Sequence, residues 1–289
     1  MKIFVITKKT LIIIAAALIV LIAAAVVLAV SAGKRNEASE PTSAKPRGSA
    51  SRSEAENIGT LSADEGYEVE VLAGFRKELP IYSVSREDKK IAITIDAAWN
   101  DDKTPFILST LERYGVKATF FLCGFWVKAY PEQVRAIAAA GHTIGNHTMT
   151  HPHMTKITAE QMIRELSELD DLIEKITGKR SVLFRAPYGE YNDKVILTVR
   201  EAGYEPIQWD IDTIDWRPER SSQTILDTVL GKLHDGAIIL CHNNGFKIEE
   251  YLPTLIETAL ANGYTFVTVD ELLLEGETVI DVNGVQKKG

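Results

Sequence analysis

Lys90-Ile91-Ala92-Ile93-Thr94-Ile95-Asp96 opens the regular part of this chain. It is a short run rich in β-branched residues, which suit a pleated surface, and it ends on a carboxylate. Similar runs recur at 118–122, 143–145, 182–184, 205–209, 237–241 and 265–269. Helical segments stand between most of them, each with its own punctuation. Thr104-Pro105 opens one and Gly115 closes it; Pro131 opens the next and Gly141 closes it. Thr158 and Gln161 form a capping box, and Gly178 ends that helix. Asn192 caps another that stops before Gly203, and the last long helix ends before Gly263. Strand–helix alternation of this kind predicts an α/β fold on a parallel sheet. Seven strands predict an incomplete or distorted (β/α)7 barrel, with an open doubly wound sheet as the alternative.

The polar residues fall at one end of these runs. Asp96 follows the first strand, His147 and His151 the third, Arg185 the fourth, Asp210 and Asp212 the fifth, and His242 the sixth. In parallel β/α folds the carboxyl ends of the strands share one face, where chemistry collects. These groups are therefore expected in one cleft. His147 and His151 have the H-x-x-x-H spacing that lets two imidazoles meet one divalent cation; as a pair alone they read equally as two polar loop histidines. Trp99, Trp126, Trp209 and Trp216 also follow or end strands. Buried aromatics are the ordinary use of such residues, but an aromatic-rimmed cleft suits the apolar faces of sugar rings.

The chain has 289 residues, 45% hydrophobic and 25% charged, which is ordinary for a globular protein. Its net charge of −8 is made of +6 in residues 1–53 and −14 in the rest. So acidic a folded part argues against nucleic acid as a partner. Cys123 and Cys241 are too few for a disulfide scaffold; two buried thiols or a single bridge are both open. Residues 11–30 are twenty consecutive apolar residues, about 30 Å as a helix and hence long enough to span a bilayer. A 1–10 cytoplasmic tail and a transmembrane anchor are expected, with the domain outside the cell membrane. Secretion after signal cleavage near Val30-Ser31-Ala32 is the alternative. Residues 31–62 have the composition of a flexible tether. Residues 63–88 alternate loosely and suggest a β-rich lead-in to a catalytic domain over 89–275, with a C-terminal tail at 276–289.

Taken together, the strand-end residues resemble the five motifs of the polysaccharide deacetylases, the NodB homology domain of carbohydrate esterase family 4. The resemblance covers roughly 89–274, and within it the sequence is similar to a sporulation- and cell-wall-associated subgroup of Gram-positive bacteria. Thr94-Ile95-Asp96-Ala97 resembles the first motif, which implies Asp96 as catalytic base. His147 through His151 resembles the second, whose histidines bind the metal. Arg185-Ala186-Pro187-Tyr188 resembles the third, in which the Arg orients the base and Tyr188 supplies a backbone N–H to the oxyanion. Asp212-Thr213-Ile214-Asp215-Trp216 resembles the fourth; the resemblance is taken to imply that Asp212 tunes the catalytic histidine and Trp216 lines the pocket. Leu240-Cys241-His242 resembles the fifth, with Leu240 as apolar wall and His242 as acid.

One position departs from the pattern. The family carries a second Asp after the base as third metal ligand, and here that residue is Ala97. Asp101 or Asp102 completing the site, water filling it, or no metal at all are the options. The resemblance implies a NodB-like fold and a divalent metal, with zinc first and cobalt, nickel or manganese behind it. The implied reaction removes N-acetyl groups from a cell-wall amino sugar, with peptidoglycan the first choice for a tethered extracytoplasmic domain. The alternatives are a weak or inactive wall-glycan-binding protein and an O-acetyl esterase.

Overall fold

The structure, a computed structural model, describes residues 77–289. The expected anchor at 11–30 and tether at 31–62 lie outside the described residues, as does the lead-in up to 76. Among the described residues, no helix is long and apolar enough to cross a membrane.

The chain enters through β1 (Ser83–Val84) and then forms β2 (Lys90–Ala97), α1 (Thr104–Arg113) and β3 (Thr119–Leu122). Next come α2 (Gly124–Ala129), α3 (Pro131–Ala139), β4 (Thr143–Asn146) and α4 (Ala159–Thr177). They are followed by β5 (Leu183–Phe184), α5 (Asp193–Glu201), β6 (Glu205–Pro206), β7 (Ile211–Asp212) and α6 (Ser222–Lys232). β8 (Ile238–His242), α7 (Ile248–Ala261), β9 (Thr265–Phe266) and α8 (Val269–Leu272) complete the α/β part. The helix punctuation read from the sequence is present. Thr158 and Gln161 close a reciprocal capping box on α4, Gly178 ends it at φ 76°, and the Asn192 side chain accepts from the Val195 N–H.

The sheet is parallel throughout, in the order β6-β5-β4-β3-β2-β8-β7, with β9 also on β2. β2 is its longest strand, and its period of two sorts its side chains. Ile91, Ile93 and Ile95 pack with Ile107, Leu111, Val134, Leu252 and Leu255 in the helix-covered core. Ala92 joins a smaller cluster of Ile81, Val84, Phe121, Leu183, Ile207 and Ile238. Thr94 and Asp96 share that second face by alternation. The strand that anchors the core thus also aims a carboxylate inward.

Two expectations change, and one helix is added. The run 205–209 is expected to be one strand, but only Glu205–Pro206 forms one, β6, and β7 follows at Ile211–Asp212 on the opposite edge of the sheet. Residues 207–210 cross the gap between them, so the incomplete barrel expected from the sequence is an open half-barrel of eight strands rather than seven. The lead-in spans this gap through single bridges, Ile81 to Ile207 and Ser83 to Ala237. The segment 276–289 is not a tail: β10 (Thr278–Ile280) and β11 (Val285–Lys288) form a hairpin, and β11 pairs with β1. Finally, α2 follows β3 after a single residue, too short a helix to stand out by periodicity.

Candidate active site

Register brings the first two groups together. In the β2–β8 ladder Asp96 stands opposite His242, and in the β2–β3 ladder opposite Phe121. Both Asp96 and His242 line a cleft of about 490 Å³ at the carboxyl end of the sheet, with Ala98, Trp99, His147, His151, Tyr188, Trp209, Asp212, Trp216 and Leu240. Trp126 is not among them. It is buried in α2, where its Nε1–H donates to the Asn100 carbonyl at 2.6 Å. Asp210 is absent too: it is bound to His234 and accepts from the Ile238 N–H at the start of β8.

Asp96 is held by Arg185, whose guanidinium donates to Asp96 Oδ1 at 2.7 Å, to Thr94 Oγ1 at 2.8 Å and to the Gln208 carbonyl at 3.0 Å. The same guanidinium lies over the Phe121 ring at 4.1 Å. Burial opposes ionisation of Asp96, but Arg185, His147 and His242 outweigh it and hold the carboxyl below its ordinary range. Asp96 is therefore a carboxylate, with Oδ2 free to face the cleft.

His147 sits just past β4. Its Nδ1 donates to the Arg185 carbonyl at 2.8 Å, which leaves Nε2 as the lone-pair nitrogen, 3.8 Å from Asp96 Oδ2. The loop that carries it is anchored by Asn146. The Asn146 amide donates to the Leu166 carbonyl and to Asp170, and its Oδ1 accepts from the Thr148 N–H. Gly124 lets this loop approach, since a Cβ there would meet the Met149 carbonyl at 2.7 Å. His151 lies edge-on to His147 with ring centroids 4.9 Å apart, and its Nδ1 is buried without a hydrogen-bond partner. Burial lowers both imidazoles, His151 to about 4, so both are neutral at pH 7.

Neutral nitrogens with a fixed tautomer and an orphaned buried nitrogen are what a divalent cation needs. His147 and His151 fit it, with Asp96 the carboxylate beside them. Neither Asp101 nor Asp102 lines the cleft. The Asn100 carbonyl, pinned by Trp126 and by Asn243, fixes the loop before them. Ala97 is a buried methyl in the helix-side core. Among the described residues, no three His, Cys, Asp or Glu side chains are grouped to hold an ion.

The acid side corrects one assignment. His242 Nδ1 donates to Asp215 Oδ1 at 2.7 Å, not to Asp212. The Asp212 side chain instead accepts from the Ile214 N–H at 2.7 Å in a tight turn. Asp215 is fully buried and also accepts from the His242 N–H at 3.1 Å and the Tyr251 hydroxyl at 2.6 Å. Gly245 gives it room: a Cβ there would lie 2.1 Å from Asp215 Oδ2. Burial disfavours the His242 cation, but the Asp215 hydrogen bond and the surrounding carboxylates raise its pKa overall.

Aromatic rings rim the opening. Trp99, Tyr188 and Trp216 are each at least half exposed. Tyr188 stacks on His153 at 4.4 Å and meets His151 edge-on at 4.6 Å. Five non-glycine residues around the cleft have left-handed backbone: Asn100, Thr148, His151, Tyr188 and Ile214. Such conformations cost of order 1–3 kcal/mol each and gather where surrounding structure imposes a geometry for function. Sequence reasoning missed Asp215, Asn146, Gln208 and Tyr251. For Asp215 the signal was its place directly before Trp216; the others carried none.

Comparison with known proteins identifies relatives of this chain. The polysaccharide deacetylase family profile matches residues 83–207. A peptidoglycan-N-acetylmuramic acid deacetylase, PdaA of Bacillus subtilis, is 32% identical over 199 residues, 68% of this chain and 76% of PdaA. The structure of Bc1960, a peptidoglycan N-acetylglucosamine deacetylase, superposes with a TM-score of 0.63 at 30% identity, over 66% of this chain and 91% of Bc1960. BA3943 of Bacillus anthracis, described as a carbohydrate esterase family 4 pseudoenzyme, gives 0.64 at 34% identity, over 67% of this chain and 68% of BA3943. A mutant of BA3943 is described as having restored enzymatic activity.

Proposed function

This chain belongs to the polysaccharide deacetylase family and is a deacetylase hydrolase by that membership, and from this premise we propose that it removes N-acetyl groups from amino sugars of peptidoglycan. The observation that carries the proposal is the pairing of Asp96 with His242 across one strand ladder, each tuned by a buried neighbour of opposite charge. Binding alone needs no such acid and base.

Asp96 takes the proton of the attacking water, since Arg185 keeps it ionised and aimed. The tetrahedral oxyanion is met by the backbone N–H of Tyr188, in its left-handed turn at the cleft. Leu240 and Trp216 wall the acetyl methyl. His242 gives its proton to the leaving amine and becomes neutral; Asp215 keeps it charged beforehand. Acetate and a free amine leave, and exchange of the proton from Asp96 to His242 through solvent restores the resting state. A divalent cation, zinc by choice, would be held by His147 and His151 and would polarise the amide carbonyl. The aromatic rim formed by Trp99, Tyr188 and Trp216 suits the sugar.

The substrate is proposed from the named activities of PdaA and Bc1960. Placement outside the cell membrane on the 11–30 segment is proposed with it, as that brings the cleft to the wall. A second reading, weak turnover with glycan binding as the main role, rests on Ala97 and on the likeness to BA3943. Acetate release from purified peptidoglycan, with and without added divalent metal, decides between them. Sustained release supports the first reading, and glycan binding with little or no release supports the second.

A further inference from the structure

A buried phenol stands behind the acid side. Tyr251, in the first turns of α7, is fully buried, and its hydroxyl donates to Asp215 Oδ2 at 2.6 Å. Asp215 in turn holds His242 through Oδ1. The three groups come from three segments: α7, the loop after β7, and the end of β8. Cys241, also fully buried, precedes His242 in β8. Burial and the Asp215 charge push the Tyr251 phenol well above its ordinary range, so it stays a donor. Burial likewise keeps Cys241 a thiol.

We propose that Tyr251 is a positioning residue for the deacetylase reaction, acting through Asp215 on the orientation and proton affinity of the His242 imidazole. Without the hydroxyl, Asp215 Oδ2 would keep only the longer bond from the His242 N–H at 3.1 Å. The hydroxyl, the shorter of the two bonds to Oδ2, tightens the carboxylate plane so that Oδ1 meets His242 Nδ1. The hydroxyl also draws charge from the carboxylate, which moderates its hold on the imidazolium proton and so makes His242 a readier acid. The charged and titratable groups facing His242 are Asp215, Asp96, Asp212 and, beyond Asp96, His147; those facing Asp215 are His242, Tyr251 and Cys241. The role rests on the hydrolase reading given above, and the experiment separates the two.

Tyr251→Phe keeps the ring and removes the donor. In the full-length chain, the His242 imidazole titration followed by NMR should move up by about half a pH unit, because the unshared Asp215 charge holds the proton more tightly. The alkaline limb of kcat should move with it, and kcat should fall about tenfold with KM within twofold, the loss of one buried hydrogen bond. Wild-type protein labelled at tyrosine Cζ gives a measurement that needs no variant: the Tyr251 resonance should follow the His242 titration. An unchanged or lowered His242 titration in a folded Tyr251→Phe protein, or a Tyr251 resonance flat through that titration, overturns the role. If no acetate is released by wild type, the hydrolase reading fails while the NMR titrations still judge the relay.

Discussion

The two halves of the cleft are built differently. The base half comprises Asp96, Arg185, His147 and His151. It rests on β2, eight residues long, and on a guanidinium with three hydrogen-bond acceptors, and it lies wholly within the stretch matched by the family profile. The acid half comprises Asp212, Asp215 and His242. His242 ends β8, but the two carboxylates hang from β7, two residues long, and from a loop that passes through Ile214 at φ 53°. A long strand transmits its period to the last residue, so the position of Asp96 follows from counting. A two-residue strand transmits nothing, and the loop after it chooses which carboxylate turns inward. Charge in the base half is fixed by a cation, and in the acid half by a buried anion with two side-chain donors.

The largest effect should come from removing the base. Asp96→Asn should lower kcat by about 10²–10⁴-fold, the usual worth of general-base catalysis, with an unchanged circular dichroism spectrum. Near-wild-type turnover there would dissolve the distinction between the halves. Arg185→Met leaves Asp96 buried without its cation, and loss of one partner of a buried pair costs about 3–5 kcal/mol. Urea denaturation should show that loss; a shift under 1 kcal/mol would mean the base half is not held as described. The acid half is tested by contrast. Asp215→Asn should cost about 100-fold in kcat, whereas Asp212→Asn, which can still accept from Ile214, should cost less than about threefold. The pH profile sharpens this. His242 acts protonated and its pKa is raised, so activity is present below that pKa and lost as pH rises through it. Asp215→Asn removes the main support for the cation, and the alkaline limb should move to lower pH; an unmoved limb would return the tuning role to another group. The smallest effect concerns the metal. Asp101→Ala and Asp102→Ala should leave metal content by mass spectrometry unchanged, since neither side chain lines the cleft. A drop to half or less in either would place a third ligand in that loop.

Much of this was legible in the residues themselves. Helix ends followed from Thr158, Gly178, Asn192 and the prolines, because capping is local chemistry within a few residues. The gathering of Asp96, His147, His151, Arg185 and His242 followed from their places at the ends of apolar runs, since parallel strands share a carboxyl end. The partner of His242 was not legible. Asp212 and Asp215 are both acids within one motif, and the difference between them is set by Ile214, by the space left at Gly245 and by Tyr251 on a helix far along the chain.

Local patterning therefore determined which segments form strands and helices and which end of the sheet carries the polar groups. Tertiary structure alone decided that residues 207–210 cross an open gap, that 278–288 return to pair with β1, and that Asp215 rather than Asp212 is hydrogen-bonded to the imidazole. The physical reason is range. Periodicity and caps are settled by neighbours a turn or a pleat away, whereas the side chain that fills a buried hydrogen-bonding position is chosen by elements distant in sequence, whose approach no local pattern encodes.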